Sequence, residues 1–137
     1  MKYEGNILVY LNEYLFTVEK FEPYKVYPKI DVEHLIPKSG RNIKAIRKDA
    51  DLESLETFNK YIDLLGNKTI LEAKINRELG NDWFRTKKEK YKESKYLLAR
   101  TLGDSPKEMW TKDDIEAATK KACKRIIDFI FNKLTIE

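Results

Sequence analysis

Apolar side chains recur at intervals of three and four residues along most of this chain, and one short segment follows a different rule. From Lys29 to Ile36, apolar and polar residues alternate through Ile30–Glu33, which is the period of a β-strand. Pro37 ends the segment, because proline has no amide hydrogen for a strand ladder. A β-branched piece, Lys68–Leu71, can supply a second strand. The pattern predicts a small β element in the middle of a mostly helical α+β chain.

Helical spacing dominates on both sides of this element. It predicts an N-terminal helix over about 3–21, a helix over 52–65, a short helix over 72–79 and a long helix over 82–102. The polar segment 38–51 has no clear period and is expected to be a loop. Ser105–Glu108 has the form of a capping box, and Thr111–Asp114 predicts the start of the last helix. The total is four to five helices.

Composition excludes several classes of protein. The 137 residues suit one domain, and no apolar run approaches the roughly 20 residues that a membrane span needs. The N-terminus lacks the apolar core of a signal peptide. A single cysteine, Cys123, excludes an internal disulfide and any zinc site built from several cysteines, and it favours a reducing, cytoplasmic setting. Cys123 is expected to pack on the apolar side of the last helix.

The positive charge is unevenly distributed. The chain carries a net charge of +4, and the segment Arg85–Lys95 holds six basic residues against two acidic ones. A basic run of this kind has two interpretations. It can be a solvated helix face, or it can be a surface for an anionic partner such as a nucleic acid.

The only histidine, His34, stands at the end of the first predicted strand, next to Glu33 and three residues after Asp31. Ionisable side chains between apolar strand residues indicate a functional site or a solvent-exposed edge of the sheet. Asp31 and Glu33 could act as paired carboxylates in acid–base chemistry. The neighbouring histidine favours a metal-dependent site instead. A Cys–His site is the weaker alternative, because Cys123 is expected to be packed.

Three short motifs carry a resemblance to HNH nucleases, the ββα-metal class. Asp31–Ser39 resembles their first motif, in which an acidic residue and a histidine end a strand and a proline follows three residues later. Gly66–Asn67 resembles the Gly-Asn segment that opens the second strand. Asn76, nine residues after Asn67, falls where the closing Asn or His of the HNH helix stands.

A narrower resemblance is to the C-terminal domain of GmrSD-type modification-dependent restriction endonucleases, and it spans about residues 5 to 130. The matching residues in this chain are Glu33, His34, Pro37, Gly66, Asn67, Asn76, Phe84, Lys87, Tyr91, Ser94 and Trp110. The chain departs from the pattern at Lys68–Ile70, which replaces the usual apolar opening of the second strand. The resemblance implies an upstream nucleotide-binding domain or subunit as a partner.

The resemblance implies a single HNH nuclease domain over 1–137. Its N-terminal helix would span 3–21, its ββα-metal core about 29–80, and its C-terminal helices about 82–133. His34 would be the general base that activates water, and Glu33 and Asn76 would hold Mg²⁺ or Mn²⁺. Asn67 would complete the catalytic set by fixing the His34 segment, and Asp31 would support the ligands or add to them.

The same resemblance gives the basic run a function, because Lys87, Lys88 and Lys90 would then contact DNA phosphates. The implied activity is cleavage of DNA in a phage-defence or modification-dependent restriction system. Two alternatives stay open. One is a DNA-binding or interaction module whose nuclease site is degenerate. The other is a structural helical domain that docks on an NTPase, and an exposed apolar face on the first helix, with Tyr3, Tyr10 and Tyr14, would indicate it.

Overall fold

The fold is known from a computed structural model that describes residues 4–24 and 29–135. Within these residues, seven α-helices and two strands follow one another as α1 (Glu4–Glu19), β1 (Ile30–His34), α2 (Ile43–Asp49), α3 (Leu55–Tyr61), β2 (Lys68–Glu72), α4 (Ala73–Leu79), α5 (Phe84–Tyr91), α6 (Leu97–Asp104) and α7 (Lys112–Thr135). A 3₁₀ turn, Leu65–Asn67, leads into β2. The mostly helical α+β fold class is confirmed.

The two strands pair antiparallel, in a register that sets His34 opposite Lys68 and Ile30 opposite Glu72. Both predicted strands are therefore confirmed. α4 begins directly after β2, with Glu72 at its N-cap, so that β1, β2 and α4 form a ββα element. The register places the end of β1 beside the start of β2, and it places the start of β1 beside the end of β2, from which α4 begins. α4 packs against both strands.

α7 packs against the 3₁₀ turn and against α1. The approach to the 3₁₀ turn is so close that a Cβ atom at Gly66 would collide with the Ile115 carbonyl and with Thr119. The Trp110 indole donates a hydrogen bond to the Gly66 carbonyl at 3.1 Å. Glycine is therefore required here for packing, and the turn that introduces β2 is held against the hydrophobic core.

The predicted long helix over 82–102 is wrong, because two carboxylates from distant elements, the partly buried Glu72 and the buried Glu13, separate it into α5 and α6. Glu72 accepts hydrogen bonds from the Ser94 hydroxyl and the Lys95 amide. Glu13, from α1, accepts from the amides of Leu97 and Leu98 and so caps the start of α6. Helical spacing of apolar residues continues through the break, and it cannot reveal caps that come from other parts of the chain.

Three further predictions are corrected. The expected loop over 38–51 contains α2, which buries Ile46. The capping-box segment Ser105–Glu108 starts no helix, since the Ser105 hydroxyl accepts from the Lys107 amide within a turn. Cys123 is exposed on α7. The predicted start of the last helix is confirmed, because Thr111 and Asp114 exchange capping hydrogen bonds. Along residues 4–24 and 29–135, no helix has the length and apolar content needed to cross a membrane.

Candidate active site

A pocket of about 280 Å³ lies at the end of β1. Its lining residues are Val32, Glu33, His34, Pro37, Lys38, Ser39, Asn76, Gly80 and Asn81. Neighbouring side chains of a regular strand face opposite sides. Glu33 and His34 nevertheless both contribute to the lining, at the point where β1 ends. The pocket thus brings together three of the predicted site residues, His34, Glu33 and Asn76.

His34 is partly buried and its Nε2 atom lies 3.0 Å from Oδ1 of Asp63. Burial lowers the pKa of the imidazole below its ordinary value of 6.5, and the hydrogen bond and charge of Asp63 oppose this effect. The charges of Lys68 and Lys38 lower the pKa of His34 further. The ring is therefore neutral at pH 7, which is the form that can accept a proton.

Asp63 is the residue of this neighbourhood that the sequence interpretation missed. It follows α3, and its Oδ1 atom also lies 3.4 Å from Lys38 Nζ and 3.8 Å from Lys68 Nζ. A signal was present in the sequence. Asp63 is the one charged residue in the run Ile62–Asn67, which leads directly into the strand opposite His34.

Glu33 is only 7% exposed, and two groups of α5 hold the same carboxylate oxygen, Oε2. The Lys87 ammonium lies 2.8 Å from it, and the Tyr91 hydroxyl donates to it at 2.7 Å. Burial lowers the pKa of Lys87, and the charge of Glu33 opposes that effect. Burial also raises the pKa of Tyr91 well above its usual value, which keeps the hydroxyl a donor. The carboxylate is thus fixed from one side.

Asn76, on α4, contacts Asp31 of β1 at 3.0 Å, with its side-chain Nδ2 atom donating to Oδ2. A carboxylate only accepts hydrogen bonds, so the amide nitrogen is the atom that faces Asp31. This contact fixes the orientation of the amide and leaves its oxygen for other partners. Asp31 therefore acts on Asn76, and it lies outside the pocket lining.

Asn67 is fully buried and makes three hydrogen bonds with main-chain groups. Its Oδ1 atom accepts from the Ile36 amide, and its Nδ2 atom donates to the carbonyls of Ile36 and Ile62. Asn67 thus clamps the chain that follows His34, as the resemblance implies. Asn67 has no exposed surface, so it acts by fixing the His34 segment and does not itself contact a substrate.

The predicted metal site has only two protein ligands. Among residues 4–24 and 29–135, no three His, Cys, Asp or Glu side chains come together as a group that could hold a metal ion. The predicted set is smaller, one Glu33 carboxylate and one Asn76 amide at the same pocket. Mg²⁺ prefers oxygen ligands and keeps several waters, so this pair suits it.

Two lysines of the basic run are turned inward, which corrects two predicted contacts with DNA. Lys87 is 1% exposed and donates to the His34 carbonyl at 2.7 Å, in addition to its pairing with Glu33. Lys88 is also buried, and its ammonium donates to the Lys107 carbonyl. Lys90 reaches solvent, where it pairs with Glu78 at 3.0 Å.

Comparison with known proteins gives a family for the chain. The family model described as GmrSD restriction endonucleases, C-terminal domain, matches residues 4–125. No curated protein and no solved structure matches the chain. The matched range includes β1, β2 and α4 together with every residue of the pocket. It relates the chain to restriction nucleases. The chain belongs to the family of GmrSD restriction endonuclease C-terminal domains.

Proposed function

We propose that this chain is an HNH-type, metal-dependent endonuclease domain that hydrolyses phosphodiester bonds of DNA in a phage-defence or modification-dependent restriction system. One observation supports this more than any other. His34 and Glu33 from β1 and Asn76 from α4 line a single pocket, in a chain whose family consists of restriction endonuclease domains. A base and two oxygen ligands at one pocket are the groups that such hydrolysis requires.

The chemistry assigns one role to each of these side chains. Neutral His34 accepts a proton from the attacking water. Glu33 and Asn76 would hold Mg²⁺ or Mn²⁺ through a carboxylate and an amide oxygen. When bound, the ion would supply positive charge for the phosphate and for the leaving 3′ oxygen. Lys87 and Asp31 keep the two ligand side chains in place, because each binds a ligand at an atom that the ion would not need.

Contact with DNA phosphates is proposed for Lys38 and, more weakly, for Lys90. Lys38 lines the pocket and its side chain is 57% exposed, so it can reach a phosphate beside the reacting one. The side chain of Lys90 is 42% exposed, but two carboxylates, Glu78 and Glu93, pair with it. Lys38 instead shares the single Asp63 carboxylate with Lys68 and His34. Phosphate contacts of this kind give affinity and position without base specificity.

The docking alternative also has some support. Ile7, Leu8, Tyr14 and Val18 are exposed apolar residues of α1, whereas Tyr10 is partly buried and Tyr3 lies outside the described residues. Such a face suits a contact with another protein surface, for example the upstream nucleotide-binding domain or subunit. It is compatible with a nuclease. A domain that only docks would carry no activity that depends on His34. The cytoplasmic setting stays a prediction from the sequence.

The ligand assignment can be tested with a double-mutant cycle of Glu33→Gln and Asn76→Ala. Gln is chosen because it keeps an acceptor for the buried ammonium of Lys87. Each variant should raise the Mg²⁺ concentration needed for half-maximal nicking of supercoiled plasmid. In the double variant, the free-energy effect on this Mg²⁺ requirement should be smaller than the sum of the two single effects.

Asn81→Ala is the matched control, since Asn81 lines the same pocket but is not a proposed ligand. It should leave the Mg²⁺ requirement near that of the unchanged protein. Strict additivity of Glu33→Gln and Asn76→Ala, or an unchanged Mg²⁺ requirement in both, would contradict a shared metal ion.

A further inference from the structure

The contact between His34 and Asp63 limits where the imidazole can carry its proton. A neutral imidazole has one N–H donor and one acceptor nitrogen, and an ionised carboxylate only accepts. Since Asp63 Oδ1 lies 3.0 Å from Nε2, a hydrogen bond between them requires the proton on Nε2. Nδ1 is then the nitrogen with the free electron pair.

Asp63 is well anchored for this purpose. The carbonyl of its neighbour Ile62 accepts a hydrogen bond from buried Asn67, and the amide of Asn67 donates to the Leu64 carbonyl. The same Asn67 side chain also holds Ile36, two residues after His34. One buried asparagine therefore fixes the chain on both sides of the contact between the imidazole and the carboxylate.

Nearby charges keep the carboxylate ionised. Partial burial of Asp63 acts to raise its pKa, but the hydrogen bond from His34 and the charges of Lys38 and Lys68 together lower it. The charged groups around His34 are thus the Asp63 carboxylate at the ring, the ammonium groups of Lys38 and Lys68 that pair with this carboxylate, and the Lys87 ammonium at the His34 carbonyl. Lys87 is balanced by Glu33.

We infer that Asp63 is a positioning residue, which holds His34 as the Nε2–H tautomer and makes Nδ1 the atom that accepts the proton from water. The inference rests on the proposed role of His34 as the base. The proton that water loses goes to Nδ1, and the electron pair of the broken O–H bond stays on the oxygen that attacks phosphorus. The Asp63 carboxylate then stabilises the imidazolium that has formed.

The tautomer can be measured without any activity, because His34 is the only histidine in the chain. Long-range ¹H–¹⁵N correlation spectra of ¹⁵N-labelled protein distinguish a protonated ring nitrogen from an unprotonated one, and they need no assignment here. At about pH 8, where imidazole is neutral, the spectrum should show a protonated Nε2 and an unprotonated Nδ1. In Asp63→Asn this pattern should become mixed, because an amide offers a donor as well as an acceptor.

Nicking supplies the second readout. Asp63→Asn should lower kcat by about tenfold or more, because part of the His34 population then carries its proton on Nδ1 and the imidazolium loses the carboxylate beside it. Its affinity for DNA should be unchanged or higher, because the lost carboxylate repels phosphate. Asp104→Asn is the matched control, since it removes an exposed carboxylate outside the pocket lining and should change neither readout. Circular dichroism verifies that both variants fold.

An Nδ1–H tautomer in the unchanged protein would overturn the inference. So would an Asp63→Asn variant that keeps either its spectrum or its turnover. If the unchanged protein nicks no DNA, the proposed function fails, whereas the spectra still decide whether Asp63 sets the tautomer.

Discussion

Glu13 offers a sharp test of how a buried carboxylate shapes this fold. It lies on α1 with 1% of its surface exposed, and its two oxygens accept hydrogen bonds of 3.1 Å from the amides of Leu97 and Leu98. Burial raises the pKa of Glu13 from 4.5 to about 7, although these hydrogen bonds and the charge of Arg100 oppose the rise.

The sign of the pH dependence follows from proton binding. Between pH 4.5 and about 7 the folded protein keeps a proton on Glu13 that the unfolded chain has lost, so the free energy of unfolding falls as pH rises. At about 1.4 kcal/mol for each pH unit, the loss across this interval is about 3 kcal/mol. Glu13→Gln cannot ionise. Its side-chain nitrogen also cannot accept from one of the two amides, so the variant should be less stable than the unchanged protein near pH 4.5. Between pH 4.5 and above pH 7, the difference in the free energy of unfolding should shift by about 3 kcal/mol in favour of the variant.

Urea unfolding followed by circular dichroism, at several pH values from about 4.5 to 8, measures this difference. The lowered pKa of His34 acts in the opposite direction, because its contribution is present above pH 6.5 and is lost as pH falls. It cancels in the comparison, since both proteins contain His34. Glu56→Gln changes an exposed residue on α3 and is the control. Its free energy of unfolding plotted against pH should run parallel to that of the unchanged protein. Parallel curves for Glu13→Gln would mean that the folded protein keeps no additional proton on Glu13.

Three further predictions concern the site. Asn67→Ala should lower the free energy of unfolding by about 2–4 kcal/mol in urea unfolding, because buried main-chain groups lose their partners; a loss below about 1 kcal/mol would argue against the clamp. Lys87→Met should cost about 3 kcal/mol in the same assay, and adding Glu33→Gln should restore much of it; no recovery would mean that charge pairing is not the cause. Lys38→Gln should lower the dependence of duplex binding on salt concentration, measured by fluorescence anisotropy, by about 0.9 in the log–log slope. Lys90→Gln should lower this slope less. A larger effect of Lys90→Gln would indicate that DNA binds on the α5 side.

Residue spacing and composition correctly predicted the elements whose formation depends on their own segment of the chain. Alternation and Pro37 gave the first strand, and β-branched residues gave the second. The division between α5 and α6 could not be predicted, because Glu72 and Glu13 act on that segment from far along the chain. The burial of lysines in the basic run could not be predicted either, because a lysine that pairs with a buried carboxylate looks the same in the sequence as one in solvent.

The candidate site likewise combines residues that the sequence predicted with residues that it did not predict. The resemblance located His34, Glu33 and Asn76, and the structure brings all three to one pocket. Asp63 was missed because its contact joins residues 29 positions apart, one between α3 and β2 and the other at the end of β1. The side chains that hold Glu33 and Asn76 in place required three-dimensional geometry as well.

Plasmid nicking by His34→Ala tests whether this chain cleaves DNA with His34 as the base. The change removes no proposed metal ligand, and Asp63 keeps Lys38 and Lys68 as partners. The unchanged protein and the variant are purified identically and assayed with Mg²⁺ and with a chelator, and circular dichroism verifies the fold. We expect nicking that needs Mg²⁺ and falls by about 10²-fold or more in the variant. Equal nicking by the two proteins would contradict it.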